Sequence, residues 1–208
     1  MIDEAKLEEA VSEALKSKQR NFLESVDLTI ALRDIDMSQP KNRINLEVIV
    51  PHKFRDPKIL VFASGELAFK AKQAGLEVIT PDELKEIDKK KAREIAKKFD
   101  FLLAEPPLMP QIGRTLGTIL GPRGKMPTPI PPNTDINQLI SRLERTVRVR
   151  TRTLTLHVKI GNKNMPPSQI AENAAAVVRR VVSALENGWQ NVAAVYVKTT
   201  MGHPVKVQ

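Results

Sequence analysis

The sequence predicts a mixed protein with two domains, in which a parallel α/β unit is inserted into an outer domain built from both ends of the chain. Strands that alternate apolar and polar residues occur near both termini, and this pattern is typical of antiparallel sheets with one open face. Short continuous apolar runs occupy the middle of the chain, as expected for strands buried on both faces. The pattern changes near residues 56–60 and 143–147. We therefore expect the outer domain at residues 1–57 and 146–208 and the inserted domain at residues 58–145.

The first elements belong to the outer domain. Apolar residues recur at helical spacing over residues 3–18, with Glu and Lys on the other face, which predicts an amphipathic helix. Two alternating segments follow at residues 26–33 and 44–50, and each predicts a half-buried strand.

The inserted segment alternates strands and helices. The runs ILVF (59–62) and FLLA (101–104) predict buried strands, with a helix near residues 66–74 and the strand LEVIT between them. Thr80-Pro81-Asp82-Glu83 is a capping box with proline at the first helical position, and it opens a second helix. The basic run KKKAREIAKK (89–98) lies on that helix. Its lysines form a solvated face at helical spacing, although a phosphate-tracking role is the alternative.

The last part returns to the alternating pattern. A short helix, QIGRTLGTIL, is followed by a proline-rich stretch and then a helix that begins after Thr134 or Asp135. In VRVRTRTLTLHVKIG, the apolar positions switch from odd to even numbers near residues 151–153, including Leu154, so we expect a turn or bulge there that makes a hairpin. A long helix with Gly188 as its stop signal and a strand at residues 192–198 complete the chain.

Charge and composition narrow the classes of binding partner that the protein is expected to have. Thirty-three Lys and Arg residues against 24 Asp and Glu residues give a formal net charge of +9, which favours RNA, DNA or an anionic membrane surface, the alternative being a solubilising excess. The absence of cysteine excludes disulfides, thiolate nucleophiles and cysteine-ligated zinc. No apolar run approaches the length of a membrane span, and the acidic N-terminus is unlike a secretory signal. We expect a cytoplasmic protein with no membrane partner.

The sequence lacks complete catalytic and metal-binding motifs, which disfavours an enzyme. The stretch GTILGPRGKMPTP (117–129) ends like a phosphate-binding P-loop, but Ile119 and Met126 stand where the motif needs Gly and Ser or Thr. The three histidines, His52, His157 and His203, have no ligand spacing. We therefore expect no catalytic residues, no metal and no cofactor.

Two short stretches are candidate RNA contacts. The tail TTMG (199–202) places hydroxyls and a glycine just past a strand, where another backbone can come close; an ordinary strand-ending turn is the alternative. Phe22 stands among polar residues, so it is either a staple at the end of the first helix or an exposed ring for stacking. The familiar zinc-finger and aromatic RNA-binding motifs are absent from the sequence.

Four segments resemble the ribosomal protein L-one family, whose members form the mobile stalk at the tRNA exit side of the large subunit. They are IGRTLGTILGPRGKMP (112–127), NFLESVDLTI (21–30), LHVKIGNKNM (156–165) and TTMGHPVKV (199–207). The resemblance covers nearly the whole chain, and INLEVIVPH with IPPNTDI is similar to the archaeal and eukaryotic branch. The lack of cysteine and of extensions favours the archaeal type.

The resemblance implies a fold and a function. The fold is an outer α+β domain with an antiparallel, split βαβ sheet and an inserted Rossmann-like three-layer α/β domain. The function is that of a non-catalytic constituent of the large subunit, cytoplasmic and monomeric when free, which binds large-subunit ribosomal RNA through the outer domain. The resemblance also implies assistance in releasing deacylated tRNA from the exit site and repression of translation of the protein's own messenger RNA.

The resemblance also implies which residues bind RNA. Thr200, Met201 and Gly202 form the RNA-facing triad, and Phe22 and Ser25 match the family's F-x-x-[ST]. Asn21 stands where bacterial relatives commonly have lysine, so Arg20 is the expected cation there. The remaining expected contacts are His157, Lys159, Gly161 and Lys163 on the hairpin segment, with Arg123 and Lys125 as a secondary contact on the inserted domain.

Two alternatives remain open from the sequence. The parallel-sheet pattern and GPRGK also suit a nucleotide-binding α/β enzyme, which would bind ATP or GTP with Mg²⁺. An off-ribosome RNA-binding assembly factor would share the fold and the charge.

Overall fold

The computed structural model describes residues 3–131, 134–151 and 153–207, which form eight α-helices and ten β-strands of a mixed α/β protein. The chain divides into two compact units. We call Met1–Arg55 with Arg145–Gln208 the terminal unit and Asp56–Glu144 the insertion unit. Part of the predicted turn at residues 151–153 and of IPPNTDI lies outside the described residues, because these segments contain Arg152, Pro132 and Asn133.

The terminal unit combines the predicted first helix and long helix with alternating strands from both ends of the chain. Its elements are α1 (Glu4–Leu15), β1 (Ser25–Leu32), β2 (Ile44–Ile49), β7 (Thr146–Thr151), β8 (Thr155–Asn162), α8 (Pro167–Val182), β9 (Val192–Thr199) and β10 (Val205–Lys206).

A four-stranded antiparallel sheet is the centre of this unit. Its strand order is β10-β9-β1-β8, and β2 and β7 form a separate antiparallel pair. Along β1, every second residue is buried, beginning with Val26 and ending with Leu32, which confirms the predicted alternation. The buried face joins α1, α8 and the β2–β7 pair in one apolar core, so the opposite face of the four-stranded sheet is open.

The predicted hairpin between β7 and β8 is wrong. β7 pairs with β2, whereas β8 pairs with β1 in the other sheet. The switch of apolar positions is present, but it marks a corner at which the chain passes from one sheet to the other. The Thr151 hydroxyl stabilises this corner by bonding with Thr153 and the carbonyl of Thr155. Leu154, the first of the even-numbered apolar positions, is exposed because it lies on the corner.

The insertion unit alternates strands with helices. Its elements are β3 (Ile59–Phe62), α2 (Gly65–Gln73), β4 (Glu77–Ile79), α3 (Pro81–Lys85), α4 (Lys89–Lys98), β5 (Phe101–Ala104), α5 (Met109–Thr115), α6 (Gly117–Leu120), β6 (Thr128–Pro129) and α7 (Ile136–Glu144). Its four strands form a parallel sheet of order β4-β3-β5-β6, as the sequence predicts for this segment.

Both faces of the parallel sheet are buried, as the continuous apolar runs predict. Ile59 and Val61 pack with α2 and α7 on one face. Leu60 and Phe62 pack with α3, α4, α5 and α6 on the other. All four residues of β3 and all four of β5 are therefore buried.

The second predicted helix of this unit is two helices. The Thr80–Glu83 capping box is present, with the Glu83 carboxylate accepting from the Thr80 N–H at 2.8 Å. This helix ends at Lys85, and Asp88 begins α4 by accepting a hydrogen bond from the Lys89 N–H. An aspartate cap in the middle of the expected helix explains the break. The lysines of α4 are exposed, as expected.

The chain leaves and re-enters the terminal unit at adjacent points. The Val50 N–H donates to the Arg145 carbonyl at 2.8 Å, and the Arg55 guanidinium donates to the Thr146 carbonyl at 3.1 Å. The buried side chain of Asn173 bonds with both backbone groups of His52. These bonds extend the pairing of β2 with β7 to the residues at which the insertion unit begins and ends.

Candidate RNA-binding surface

The end of the four-stranded sheet brings the two most distant expected segments together. The Thr200 N–H donates to the Ser25 carbonyl at 3.0 Å, and the Ser25 N–H donates to the Thr200 hydroxyl oxygen at 3.1 Å. These bonds continue the β1–β9 ladder by one residue beyond Thr199. Thr200, Met201 and the Phe22 segment therefore lie at the same edge of the terminal unit.

A buried carboxylate, Glu24, holds this edge in place. Its side chain is 1% exposed, accepts a hydrogen bond from the Met201 N–H at 3.0 Å and pairs with the Lys163 ammonium at 3.1 Å. The Met201 N–H lowers the pKa of Glu24 most, burial acts in the opposite direction, and the charges of Lys163 and Arg20 lower it further. Glu24 is thus held ionised at the junction of three chain segments.

Lys163 is a structural cation in this arrangement. Its ammonium lies 2.7 Å from the Ser17 carbonyl, 3.1 Å from the Ser17 hydroxyl and 3.3 Å from the Lys18 carbonyl, in addition to Glu24. Its backbone N–H also donates to the Glu24 carbonyl. An ammonium has three protons to donate, so these oxygens already occupy its capacity. Lys163 positions the surface from within.

Two glycines stand where the chain is crowded. A Cβ on Gly202 would lie 2.3 Å from the Thr199 hydroxyl, which itself bonds with the Ser17 hydroxyl at 2.9 Å. A Cβ on Gly161 would lie 2.9 Å from a side-chain carbon of Ile170 on α8. Gly202 allows the tight turn after β9, and Gly161 allows β8 to pack on α8.

Three large apolar side chains remain exposed at this edge. Phe22 is 54% exposed, Leu23 57% and Met201 59%. More than half of the Phe22 side chain is open to solvent, which favours the stacking interpretation over a staple that packs against α1. Exposed aromatic and sulfur-containing side chains are suited to contact with nucleobases and sugars.

The other expected contacts of the terminal unit lie nearby. Arg20 is exposed in the segment before Phe22. His157 is exposed on β8 and bonds through Nδ1 with the Thr29 hydroxyl at 2.9 Å. Lys159 is half-buried and lies opposite Asp27 of β1. His157 and Lys159 both belong to the open face of the sheet.

Arg123 and Lys125 of the insertion unit bond internally. The Lys125 ammonium donates to the Phe99 carbonyl at the end of α4, at 2.6 Å, and the Arg123 guanidinium donates to the Arg93 carbonyl at 3.4 Å. Gly124 between them has a φ of 65° and makes the turn. The loop GPRGK is thus tied to α4, and its lysine complements the carbonyl end of that helix.

Sequence reasoning missed Glu24, Thr199 and Ser17. The signal for Glu24 was available, because it falls in step with Val26 on the buried side of β1. Thr199 is likewise in step with the buried Val197 of β9. Polar residues at buried positions of an alternating strand need partners, and such positions indicate an internal network.

Other kinds of site find no support in the described part of the chain. Among residues 3–131, 134–151 and 153–207, no cluster of His, Asp and Glu has the geometry to hold a metal ion. In the same residues, no helix combines the length and the hydropathy that crossing a bilayer requires.

Comparison with known sequences identifies relatives over the whole length. A model of the ribosomal protein L1p/L10e family matches residues 14–203. The chain is 50% identical over 207 residues to large ribosomal subunit protein uL1 of Methanothrix thermoacetophila, covering 97% of this chain and 98% of the relative. It is 48% identical over 205 residues to the protein of the same name from Methanocella arvoryzae, covering 96% of each chain. It is also 48% identical over 213 residues to that from Archaeoglobus fulgidus, covering 100% of this chain and 99% of the relative.

Proposed function

The chain belongs to the ribosomal protein L1p/L10e family, and we propose that it is a structural constituent of the large ribosomal subunit that binds large-subunit ribosomal RNA through its terminal unit. As a ribosomal protein of this family it is not an enzyme. The names of its archaeal relatives support the ribosomal role.

One observation carries the RNA-binding part of the proposal. Glu24, buried and ionised, fixes Met201 and the Phe22 segment at one edge, where three apolar side chains are exposed in a chain of net charge +9. Exposed apolar side chains that are grouped together and surrounded by polar residues mark an interaction site. The positive charge of the chain favours a polyanion as that partner.

The residues divide into two roles. Those with exposed groups contact RNA directly, whereas Lys163, Gly161 and Glu24 position them. The proposed contacts are Arg20, Phe22, Ser25, His157, Lys159, Thr200, Met201 and Gly202.

The proposal includes the wider role of the stalk. In it the terminal unit is the RNA-binding domain and the insertion unit is a Rossmann-like domain inserted into it; the two compact units and the parallel sheet support this division. The protein acts as a monomer in the cytoplasm, assists the release of deacylated tRNA from the exit site and represses translation of its own messenger RNA. These roles rest on the family resemblance.

The test is a filter-binding titration with a fragment of large-subunit RNA that carries the stalk. Met201→Ala is expected to weaken binding by roughly 1–3 kcal/mol, because the RNA groups that Met201 covers lose their contact. Thr200→Ala is expected to weaken it by a similar amount, whereas Thr200→Ser, which keeps the hydroxyl, should bind nearly as the wild type does.

Lysines of the insertion unit supply the control. Lys89, Lys90 and Lys91 are exposed on α4, and replacing each with Gln should change the affinity little. If these variants weaken binding and the Met201 variant does not, the RNA site lies outside the terminal unit. Competition by the leader of the protein's own messenger RNA tests repression, and co-sedimentation with large subunits distinguishes a ribosomal constituent from an assembly factor.

A further inference from the structure

The strand β2 has one edge that no other strand occupies. Its antiparallel register with β7 runs from Ile44 opposite Thr151 to Ile49 opposite Thr146 without a bulge. In the part of the chain that the structure describes, no strand pairs with the other side of β2. A regular edge strand of this kind is a template for pairing with another chain.

The backbone groups on the open edge belong to three residues. The Val50 N–H donates to the Arg145 carbonyl, so the backbone groups of Val50 face β7. These groups alternate between the two edges of an antiparallel strand, so those of Asn45, Glu47 and Ile49 face away from β7. Each of these three residues therefore offers a donor and an acceptor to an added strand.

A groove lies beside this edge, between β2 and the C-terminal half of α8. Its volume is about 430 Å³, and Ala176, Arg179, Arg180 and Ser183 line the side formed by α8. Ile49 lies on the side formed by β2, and its side chain is 49% exposed. A strand added to β2 would fill the groove and cover Ile49.

The two sides of such a strand would meet different surroundings. Val48 belongs to the core that includes α8, whereas Ile49 points to the opposite, exposed face of β2. On the α8 side, Arg179 pairs with Glu4, and Arg180 is exposed and in no ion pair among the described residues. Side chains of a strand alternate between its two faces. Carboxylates on one face and apolar side chains on the other therefore complement this groove.

We propose that β2 binds an extended segment of another protein that alternates acidic and apolar residues. The segment adds a third strand to the β2–β7 pair, with its carboxylates toward Arg179 and Arg180 and its apolar side chains beside Ile49. A nucleic acid has no row of alternating backbone donors and acceptors, so this edge selects a peptide over RNA. The inference goes beyond the proposed function, because the site uses none of the proposed RNA contacts.

Peptide titration of the full chain tests the charge part of the proposal. The probe is a short synthetic peptide that alternates glutamate and valine, and its affinity is measured by fluorescence anisotropy. Arg180→Glu should weaken binding about tenfold, because repulsion replaces attraction. Lys206→Glu is the matched control, since Lys206 is an exposed cation on β10 of the same unit, and it should leave the affinity nearly unchanged. A peptide that alternates lysine and valine should not bind.

Amide hydrogen exchange reports the strand pairing itself. In the free protein, the N–H groups of Asn45, Glu47 and Ile49 should exchange faster than those of Leu46 and Val48, which face β7. Saturating glutamate–valine peptide should slow the exchange of the first three groups and leave the other two unchanged. Binding through side chains alone would not produce this pattern.

A proline at the open edge separates backbone pairing from loss of charge. Glu47→Pro removes the central outward donor and keeps the bonds to β7, because proline is compatible with an edge position. It should abolish peptide binding. Glu47→Ala keeps the N–H and loses only the ion pair with Arg148, so it should bind the peptide nearly as the wild type does.

The remaining outcomes would overturn the proposal. If the stalk RNA fragment displaces the peptide from the groove, the groove binds polyanions and not an acidic strand. If the three outward amides become protected as the protein concentration rises without peptide, a second copy of this chain occupies the edge. If the peptide does not bind, or binds without slowing these amides, β2 does not accept an acidic strand. RNA binding by Met201 variants is measured separately, so each of these results leaves the proposed function standing.

Discussion

The four-stranded sheets of the two units bury different numbers of faces. In the insertion unit, β3 and β5 are buried on both sides, and two separate apolar clusters pack against them. In the terminal unit, one apolar core covers one side, and the other side carries polar and cationic residues. The two units therefore tolerate change at different positions. A doubly covered sheet depends on packing at every position, whereas a half-open sheet leaves every second position free for a partner.

Both units also use a lysine internally that the sequence marks as an RNA contact. Lys163 of the terminal unit binds Glu24 and the carbonyls of Ser17 and Lys18. Lys125 of the insertion unit binds the carbonyl of Phe99. A lysine in a family motif can therefore stabilise the fold instead of contacting RNA.

The largest expected effect tests whether packing in the insertion unit is separate from RNA binding. Phe62 is fully buried, and Phe62→Ala should lower the free energy of unfolding by about 3–5 kcal/mol, because a cavity replaces the ring. Denaturant unfolding measures the loss, and hydrogen exchange over β3–β5 locates it. RNA affinity of the folded protein should be unchanged.

Phe69→Ala is the matched control, since Phe69 lies in the same unit and is 63% exposed. We expect it to change stability by less than about 0.5 kcal/mol. A fall in RNA affinity for Phe62→Ala under conditions where it remains folded would contradict the separation of the two units.

Two glycines, one from each unit, should respond to alanine with opposite signs. Gly161→Ala brings a Cβ to 2.9 Å from Ile170 and should destabilise the protein by about 1–3 kcal/mol through overpacking. Gly113 lies in α5, and a Cβ there would meet no atom within 4 Å beyond its chain neighbours and its own helix backbone, so Gly113→Ala should stabilise by about 0.5–1 kcal/mol. Thermal and denaturant unfolding of both variants check the signs. Equal signs would show that crowding at Ile170 does not govern the Gly161 position.

A smaller effect is expected at the internal lysine of the insertion unit. Lys125→Ala removes the hydrogen bond to the Phe99 carbonyl and should cost about 0.5–1.5 kcal/mol of stability, with RNA affinity unchanged. Lys85→Ala, which breaks only an exposed pair with Asp82, should cost less than about 0.5 kcal/mol. Unchanged stability with weaker RNA binding for Lys125→Ala would instead favour the secondary RNA contact that the sequence predicts.

The smallest expected effect is a change in stability at acid pH, and it distinguishes the buried carboxylate of Glu24 from the exposed carboxylate of Glu66. The folded protein holds the pKa of Glu24 below its ordinary value of 4.5, so the stabilisation is complete above that pH and is lost as the pH falls through the folded-state pKa. Glu24→Gln should therefore flatten the fall of the melting temperature below about pH 4.5. The pKa of Glu66 is also lowered, by its hydrogen bond to Lys70, but Glu66 is exposed and salt should screen its contribution. If salt reduced the contribution of Glu24 to stability as much as that of Glu66, this would argue against the buried role of Glu24.

The sequence predicts the elements well because local patterns determine them. Alternation from Val26 to Leu32 depends only on which side of a strand is wet, and the run Ile59–Phe62 depends only on burial of both sides. The Thr80–Glu83 capping box is decided within four residues. The fold class and these elements can therefore be predicted from short stretches of the sequence.

Pairing and internal networks could not be predicted in the same way. Alternation in β7 and β8 is correct, but it does not specify that β7 pairs with β2 rather than with β8. The network around Glu24 joins Lys163 and Met201, which are more than 130 residues away in the chain. The family motifs point to this edge of the molecule, but only the folded chain shows that Lys163 faces inward.

The pairing of β1 and β2 has a consequence for the growing polypeptide on the ribosome. β1 pairs with β8 and β9, and β2 pairs with β7, so the partners of the first two strands are synthesised only after the insertion unit. At typical elongation rates, the roughly 100 residues in between take about 5–20 s to make. During that interval the apolar faces of both strands wait in the nascent chain, while the insertion unit already has its complete sheet. We therefore expect the insertion unit to fold before the terminal unit. The N-terminal strands then depend on rapid synthesis of β7, β8 and β9, or on chaperones, to avoid misassembly.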